Sequence, residues 1–211
     1  MLLGAYIDAS RQSLGLDIGA GTGVLSLMLA QRNPTIQITC IEIDEKSSDE
    51  CTQNVNNSPW FNRIETIHAD FTQYDFQQNF DLIFTNPPYY LTDNSSNESN
   101  ERTKHITPES LLSWLNKIAN LLTIKGEFWM IWPSETSQKI IEMAHDSGLH
   151  VAKKINVYSK KNKLSRNILC FSREKKEGFN DEQLIIRNHD NSYSDAYRSL
   201  TSDFHYTEFN A

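Results

Sequence analysis

The sequence predicts an α/β fold built on a doubly wound, mostly parallel sheet, and three observations predict it. Short apolar runs rich in β-branched residues alternate with helix-length amphipathic stretches, the pattern of βαβ units. The first run leads straight into a cluster of glycines that opens a helix. The last two runs are joined by the short polar stretch 159–164, which favours an antiparallel hairpin at the sheet edge.

Taken in order, Leu14–Ile18 reads as a strand and 24–31 as the helix after it. A second strand covers 37–43, a helix 49–56, and a third strand 64–69. Phe80–Thr85 is a fourth strand, and Pro87 and Pro88 force the chain to turn at its end. Residues 92–101 (TDNSSNESNE) have no hydrophobic period and read as a loop. Leu111, Leu112, Leu115, Ile118, Ala119 and Leu122 recur at helical spacing over 108–122, with Pro108 in the first turn. Strands at 126–132, 149–158 and 167–171 follow, with a helix over 136–146 closed by Gly148. No repeat or linker divides the 211 residues, so a single domain is expected, with 179–211 as an amphipathic, helical tail packed on it.

Composition narrows the class. Hydrophobic residues make up 38%, and Gly and Pro together only 14 positions, which excludes collagen-like and wholly disordered chains. No apolar run nears the ~18 residues of a membrane span, and the first dozen residues lack the regions of a secretory signal. A soluble, cytoplasmic protein without a membrane partner is expected, with a monomer favoured. Cys40, Cys51 and Cys170 are widely spaced without a CxxC, and no HxxxH occurs, so neither a disulfide framework nor a metal site is expected.

Charge is distributed unevenly. The net charge of −7 argues against a nucleic-acid partner, yet residues 150–176 carry nine basic residues and a single acid, Glu174. That segment is +8 and the remainder −15. Such a stripe fits a localised phosphate-binding surface, and it fits a solvated face equally well.

Three motifs carry the chemistry. Leu14-Gly15-Leu16-Asp17-Ile18-Gly19-Ala20-Gly21-Thr22-Gly23 places Gly19, Gly21 and Gly23 as GxGxG with Asp17 two residues before the first. A pyrophosphate-binding loop would instead read GxGxxG. The second strand ends at Glu42, where a carboxylate can accept hydrogen bonds from both hydroxyls of a ribose. The third ends in Asp70-Phe71, an acceptor for an adenine amino group beside a ring to cover the base. Asp44 and Glu45 read as solvated neighbours. The fourth strand ends in Asn86-Pro87-Pro88-Tyr89.

The GxGxG loop resembles the S-adenosylmethionine loop of class I methyltransferases, whose phosphate-free ligand suits a carboxylate such as Asp17 facing its ammonium. The resemblance implies a Rossmann-like, seven-stranded sheet. Asn86-Pro87-Pro88-Tyr89 resembles the NPPY motif of methyltransferases acting on planar exocyclic or amide nitrogens. It implies that the Asn86 oxygen and the Pro87 carbonyl accept the two hydrogens of the amine, with Tyr89 stacking on the target ring. Two substrate classes share that motif: nucleic-acid bases and the glutamine amide of proteins. A non-catalytic, RNA-binding relative is a third reading.

Further marks single out one family. Asn54-Val55-Asn56-Asn57-Ser58-Pro59-Trp60, the tail segment 183–187 (QLIIR) and 193–201 (YSDAYRSLT) resemble the bacterial tRNA(Val) (adenine(37)-N6)-methyltransferases over nearly the whole chain. The resemblance implies that a tRNA anticodon stem-loop is the partner and that Lys160, Lys161, Lys163 and Arg166 grip it, helped by Arg102 and Lys104. The family carries a further N-terminal stretch before Leu2-Leu3-Gly4-Ala5, so weak cofactor binding or disorder near Met1 is expected of this chain.

Overall fold

A computed structural model describes residues 1–87, 90–91, 105–175 and 178–205. The chain runs α1 (Leu2–Tyr6), β1 (Leu14–Ile18), α2 (Val24–Arg32), β2 (Gln37–Glu42), α3 (Glu45–Asn56), β3 (Ile64–His68) and β4 (Phe80–Thr85). The two-residue strands β5 (Tyr90–Leu91) and β6 (His105–Ile106) come next, then α4 (Pro108–Leu121), β7 (Leu122–Pro133) and α5 (Ser137–Asp146). The last elements are β8 (His150–Lys160), β9 (Lys163–Ser172), β10 (Asn180–Arg187) and α6 (Asp195–Thr201). Eight strands form one sheet in the order β10-β8-β9-β7-β4-β1-β2-β3, while β5 and β6 pair separately. Within that sheet only β9 runs antiparallel to its neighbours.

Strand alternation sends side chains to two cores. On β7, Trp129 and Ile131 face one core while Phe128, Met130 and Trp132 face the other. The first core takes Leu3 of α1, Leu25 and Leu29 of α2, and Val55 of α3. The second takes Leu111, Leu115 and Ile118 of α4 with Ile140 and Ala144 of α5. Both sheet faces are covered, which is why the central strands read as continuous apolar runs. None of the described helices is long and apolar enough to cross a membrane.

The structure departs from the sequence reading at several points. The sheet has eight strands, not seven, because Asn180–Arg187 adds a strand parallel to β8. The tail is therefore part strand and part helix, not a helix throughout. Ser194 caps the helical part by accepting from the Tyr197 amide at 3.1 Å. The hairpin β8–β9 consequently sits inside the sheet rather than at its edge. Helix α3 begins four residues early, since Asp44 caps it by accepting from the Ser47 amide at 2.9 Å. Near Met1 the chain is helical and packed, with Leu3, Ala5 and Ile7 buried, and Arg32 donates to the Gly4 and Ala5 carbonyls. Disorder there is not observed. The loop at 92–101 lies outside the described residues.

The β1–β4 pair is clamped at both ends. At its start, Asp81 accepts from the Ser13 and Leu14 amides at 2.8 and 3.0 Å. At its finish, the buried Thr85 hydroxyl donates to the Ile18 carbonyl at 2.7 Å. A Thr85→Val substitution keeps the shape but leaves that carbonyl without its donor. We expect it to lower unfolding stability by about 1–3 kcal/mol in denaturant titration.

Candidate active site

In an open α/β sheet, ligands bind beyond the carboxyl ends of the parallel strands. Four of the motif residues converge on that edge here. Gly19 follows β1, Glu42 ends β2, Asp70 stands two residues past β3, and Asn86 immediately follows β4. Because β4 lies beside β1 and Thr85 is bonded to Ile18, Asn86 sits next to the start of the glycine loop.

All three loop glycines have positive φ: +66° at Gly19, +57° at Gly21 and +79° at Gly23. That conformation disfavours any other residue. A side chain at Gly19 or Gly21 would meet nothing within 4 Å, so both face open space. At Gly23 a Cβ would come within 2.7 Å of the Cys51 sulfur, so this glycine is required by packing as well. The loop is tied to β2 by the Gly19 and Ala20 amides, which donate to the Ile41 carbonyl at 2.8 and 3.2 Å.

Glu42 organises the same edge. One carboxylate oxygen accepts from the Gly21 amide at 2.9 Å, and the other accepts from the Ile43 and Asp44 amides at 2.9 Å each. A carboxylate offers roughly four acceptor positions, so it can take a further donor while holding the loop. Its neighbour Ile43 is 45% exposed, an aliphatic side chain standing beside the carboxylate. The sequence reading passed over Ile43. An apolar residue directly after a strand-ending acid was the available signal.

Asp17 is buried within β1, one residue before its end. It is 1% exposed, and Oδ2 accepts from the Ser26 hydroxyl at 2.7 Å, while Oδ1 is buried without a hydrogen-bond partner. Burial pushes its carboxyl up to about 7 from the usual 3.8; the nearby Glu42 charge adds to the rise and the Ser26 bonds oppose it. An orphaned buried oxygen on a poised carboxyl is the feature a cationic group would satisfy.

Asp70 is half-buried, and its Oδ1 accepts from both the Thr72 amide and the Thr72 hydroxyl at 2.8 Å. Phe71 is corrected by the structure. It is 6% exposed, and its ring packs on Phe76 and Trp114 at centroid distances of 6.0 and 5.9 Å. Its ring belongs to the core, so the expected cover for a ligand's ring gives way to a structural role. Asn86 is exposed and Pro87 half-buried. Tyr89, Arg102 and Lys104 lie outside the described residues.

The basic stripe divides into two groups. Lys160, Lys161, Lys163 and Arg166 are exposed around the β8–β9 turn, where Asn162 takes φ +67°. Arg166 pairs with Pro133 at the carboxyl end of β7, so this turn projects from the same edge as Asn86. Two strand spacings separate β4 from β9, about 10 Å. Lys153, Arg173 and Lys175 stand towards the other end of the hairpin, where Lys153 pairs with Glu182 at 3.3 Å and Arg173 donates to the Leu122 carbonyl. Only the first group can face a ligand shared with Asn86. Among the described residues, no cluster of His, Cys, Asp and Glu could hold a metal ion.

Comparison with known proteins follows the same line. The profile of the methyltransferase small domain matches residues 1–159. A tRNA1(Val) (adenine(37)-N6)-methyltransferase of Escherichia coli is 36% identical over 210 residues, covering 97% of this chain and 85% of that protein. Its counterpart in Pedobacter heparinus is 34% identical over 206 residues, covering 97% and 88%. Among solved structures, a predicted O-methyltransferase from Agrobacterium tumefaciens superposes with a TM-score of 0.76 at 16% identity, covering 95% of this chain and 94% of that one. A protein from Pyrococcus horikoshii, described as a "putative RNA methyltransferase", gives 0.60 at 18% identity, covering 81% and 77%. These two likenesses establish the class I methyltransferase fold. Matched along nearly its whole length, the chain belongs to the methyltransferase small domain family and to the family of the tRNA1(Val) (adenine(37)-N6)-methyltransferases.

Proposed function

We propose that this enzyme transfers a methyl group from S-adenosylmethionine to the exocyclic N6 of adenine 37 in the anticodon loop of tRNA1(Val). The observation that carries the proposal is the meeting of the glycine loop, Glu42 and Asn86 at one sheet edge, with the basic turn of Lys160, Lys161, Lys163 and Arg166 beside them. The choice of tRNA and of adenine rests on the relatives, which carry that activity in their names.

When bound, S-adenosylmethionine supplies an electrophilic methyl group carried on a sulfonium. The residues present fit it. Gly19 and Gly21 leave room against their backbone, and the orphaned Asp17 oxygen suits its ammonium. Glu42 would accept from the ribose hydroxyls, Asp70 from the adenine amino group, and Ile43 would lie against the adenine face.

The amine of adenine is a weak nucleophile because its lone pair is delocalised into the ring. The Asn86 side-chain oxygen and the Pro87 carbonyl would accept its two hydrogens, drawing the nitrogen towards tetrahedral geometry and aiming its lone pair at the donor. This is catalysis by position and electrostatic complementarity. The extra proton leaves after transfer, so no strong base is needed. Tyr89 supplies the stacking ring that the motif implies. Lys160, Lys161, Lys163 and Arg166 would hold the RNA backbone while the base swings out of its stack.

Incubated with labelled S-adenosylmethionine and tRNA from a strain lacking the modification, the enzyme should yield labelled N6-methyladenosine. Label found only in protein would favour the amide-nitrogen reading instead. Asn86→Ala should cut kcat on the order of 10²–10³-fold, the scale of losing one positioned hydrogen-bonding group, with little change in cofactor affinity. Glu42→Ala should chiefly weaken the cofactor, by about 10–100-fold.

Asp17 gives a pH prediction with a fixed sign. Its carboxyl is raised in the folded state, so its contribution to stability is complete below the unfolded value near 3.8 and is lost as pH rises through about 7. Without ligand, the wild-type Tm should fall relative to Asp17→Asn between pH 4.5 and 8. An ammonium beside Asp17 favours the ionised form, so cofactor affinity should rise across the same window in the wild type and stay flat in Asp17→Asn.

A further inference from the structure

The turn after β3 carries Asp70 to the ligand edge, and two sets of bonds define its shape. From within, Asp70 Oδ1 accepts from the Thr72 amide at 2.8 Å, and the Asp70 carbonyl accepts from the Gln73 and Tyr74 amides at 3.0 Å each. From outside, the Lys117 ammonium on α4 donates to the Thr72 carbonyl at 3.1 Å and to the Tyr74 carbonyl at 2.6 Å. Thr72 and Tyr74 are therefore each held at both polar groups, the amide by Asp70 and the carbonyl by Lys117. The ammonium also lies 5.2 Å from the Phe71 ring centroid and 5.7 Å from that of Phe76, within cation–π range of both.

We infer that Lys117 is a positioning residue that fixes Asp70 for recognition of the cofactor's adenine amino group. The inference rests on the reading of Asp70 given above. A lysine held in one conformation gives up rotamer freedom. An apolar residue would pack on Phe71 and Phe76 without that cost. What the ammonium adds is a donor to two carbonyls of the turn, and that grip sets where Asp70 stands. Burial lowers the Lys117 pKa, while the Asp75 and Asp70 carboxylates act to raise it and so favour the charged form.

The test compares binding of S-adenosylhomocysteine with that of its inosine counterpart, which has an exocyclic carbonyl oxygen in place of the adenine amino group. The wild type should prefer the adenine form by about tenfold, the value of one hydrogen bond of ~1.4 kcal/mol. Lys117→Met should reduce that preference to within about threefold, while Lys117→Arg should keep most of it. Lys117→Gln retains one donor and should fall between the two, which gives a reading even if the methionine variant folds poorly. A uniform weakening of both ligands with the preference intact would reduce Lys117 to a structural role and overturn the proposal. Asp70→Ala, which leaves no acceptor, separates Asp70 from Lys117. Preference lost in Asp70→Ala but kept in Lys117→Met leaves Asp70 standing and refutes the role of Lys117. Preference kept in Asp70→Ala removes Asp70 as the reader of the amine, and the proposal for Lys117 with it.

Discussion

The rest of the site depends on one hydrogen bond, from the Thr85 hydroxyl to the Ile18 carbonyl. Parallel strands in register fix lateral spacing, but the chain is free to diverge where pairing stops. Here pairing of β1 with β4 extends to Asp17 and Phe84, and both strands then leave for different tasks. One becomes the glycine loop and the other the Asn86-Pro87 turn. The Thr85 bond carries their alignment one residue further, to the point where a donor and an acceptor would have to meet. A buried donor and acceptor without each other would each carry a desolvation cost, so the pairing is strongly favoured.

Around that anchor the site keeps two carboxylates on adjacent strand ends and gives them opposite environments. Glu42 is surrounded by three amide donors and holds the loop. Asp17 is sealed in, with one oxygen satisfied by Ser26 and the other by none of the described residues. The first suits neutral hydroxyls that need an acceptor. The second suits a positive charge, because an incoming cation both neutralises the carboxylate and supplies the missing partner. The Glu42 position is shared with dinucleotide sites, so it is the buried Asp17 oxygen that speaks for a ligand carrying an ammonium.

Much of this was legible in the sequence because the informative residues are local. The glycines need positive φ, Pro87 and Pro88 end a strand, and Glu42 and Asp70 mark strand ends by interrupting apolar runs. What escaped was set by tertiary context. Asn180–Arg187 has a single fully buried apolar residue, Leu184, so its pattern carries no clear period, and it becomes a strand because β8 offers an open edge. Phe71 follows a site acid but turns into the core to meet Trp114 from a distant helix. The basic stripe is continuous in sequence, yet an antiparallel hairpin sends its two halves to opposite ends of the sheet. Lys117 has no local signature, because its partners lie some 40 residues earlier in the chain.

In the proposed function one pocket holds the methyl donor and a flipped adenine side by side, at a separation fixed by the β1–β4 pair. The most direct measurement is the affinity of a bisubstrate compound in which the adenine N6 is joined by a short linker to the position of the donor's sulfur. It should bind at least about 100-fold tighter than S-adenosylhomocysteine, since the second half docks without a separate loss of translational freedom. Affinity equal to or below that of S-adenosylhomocysteine would mean that the two groups do not meet at this edge.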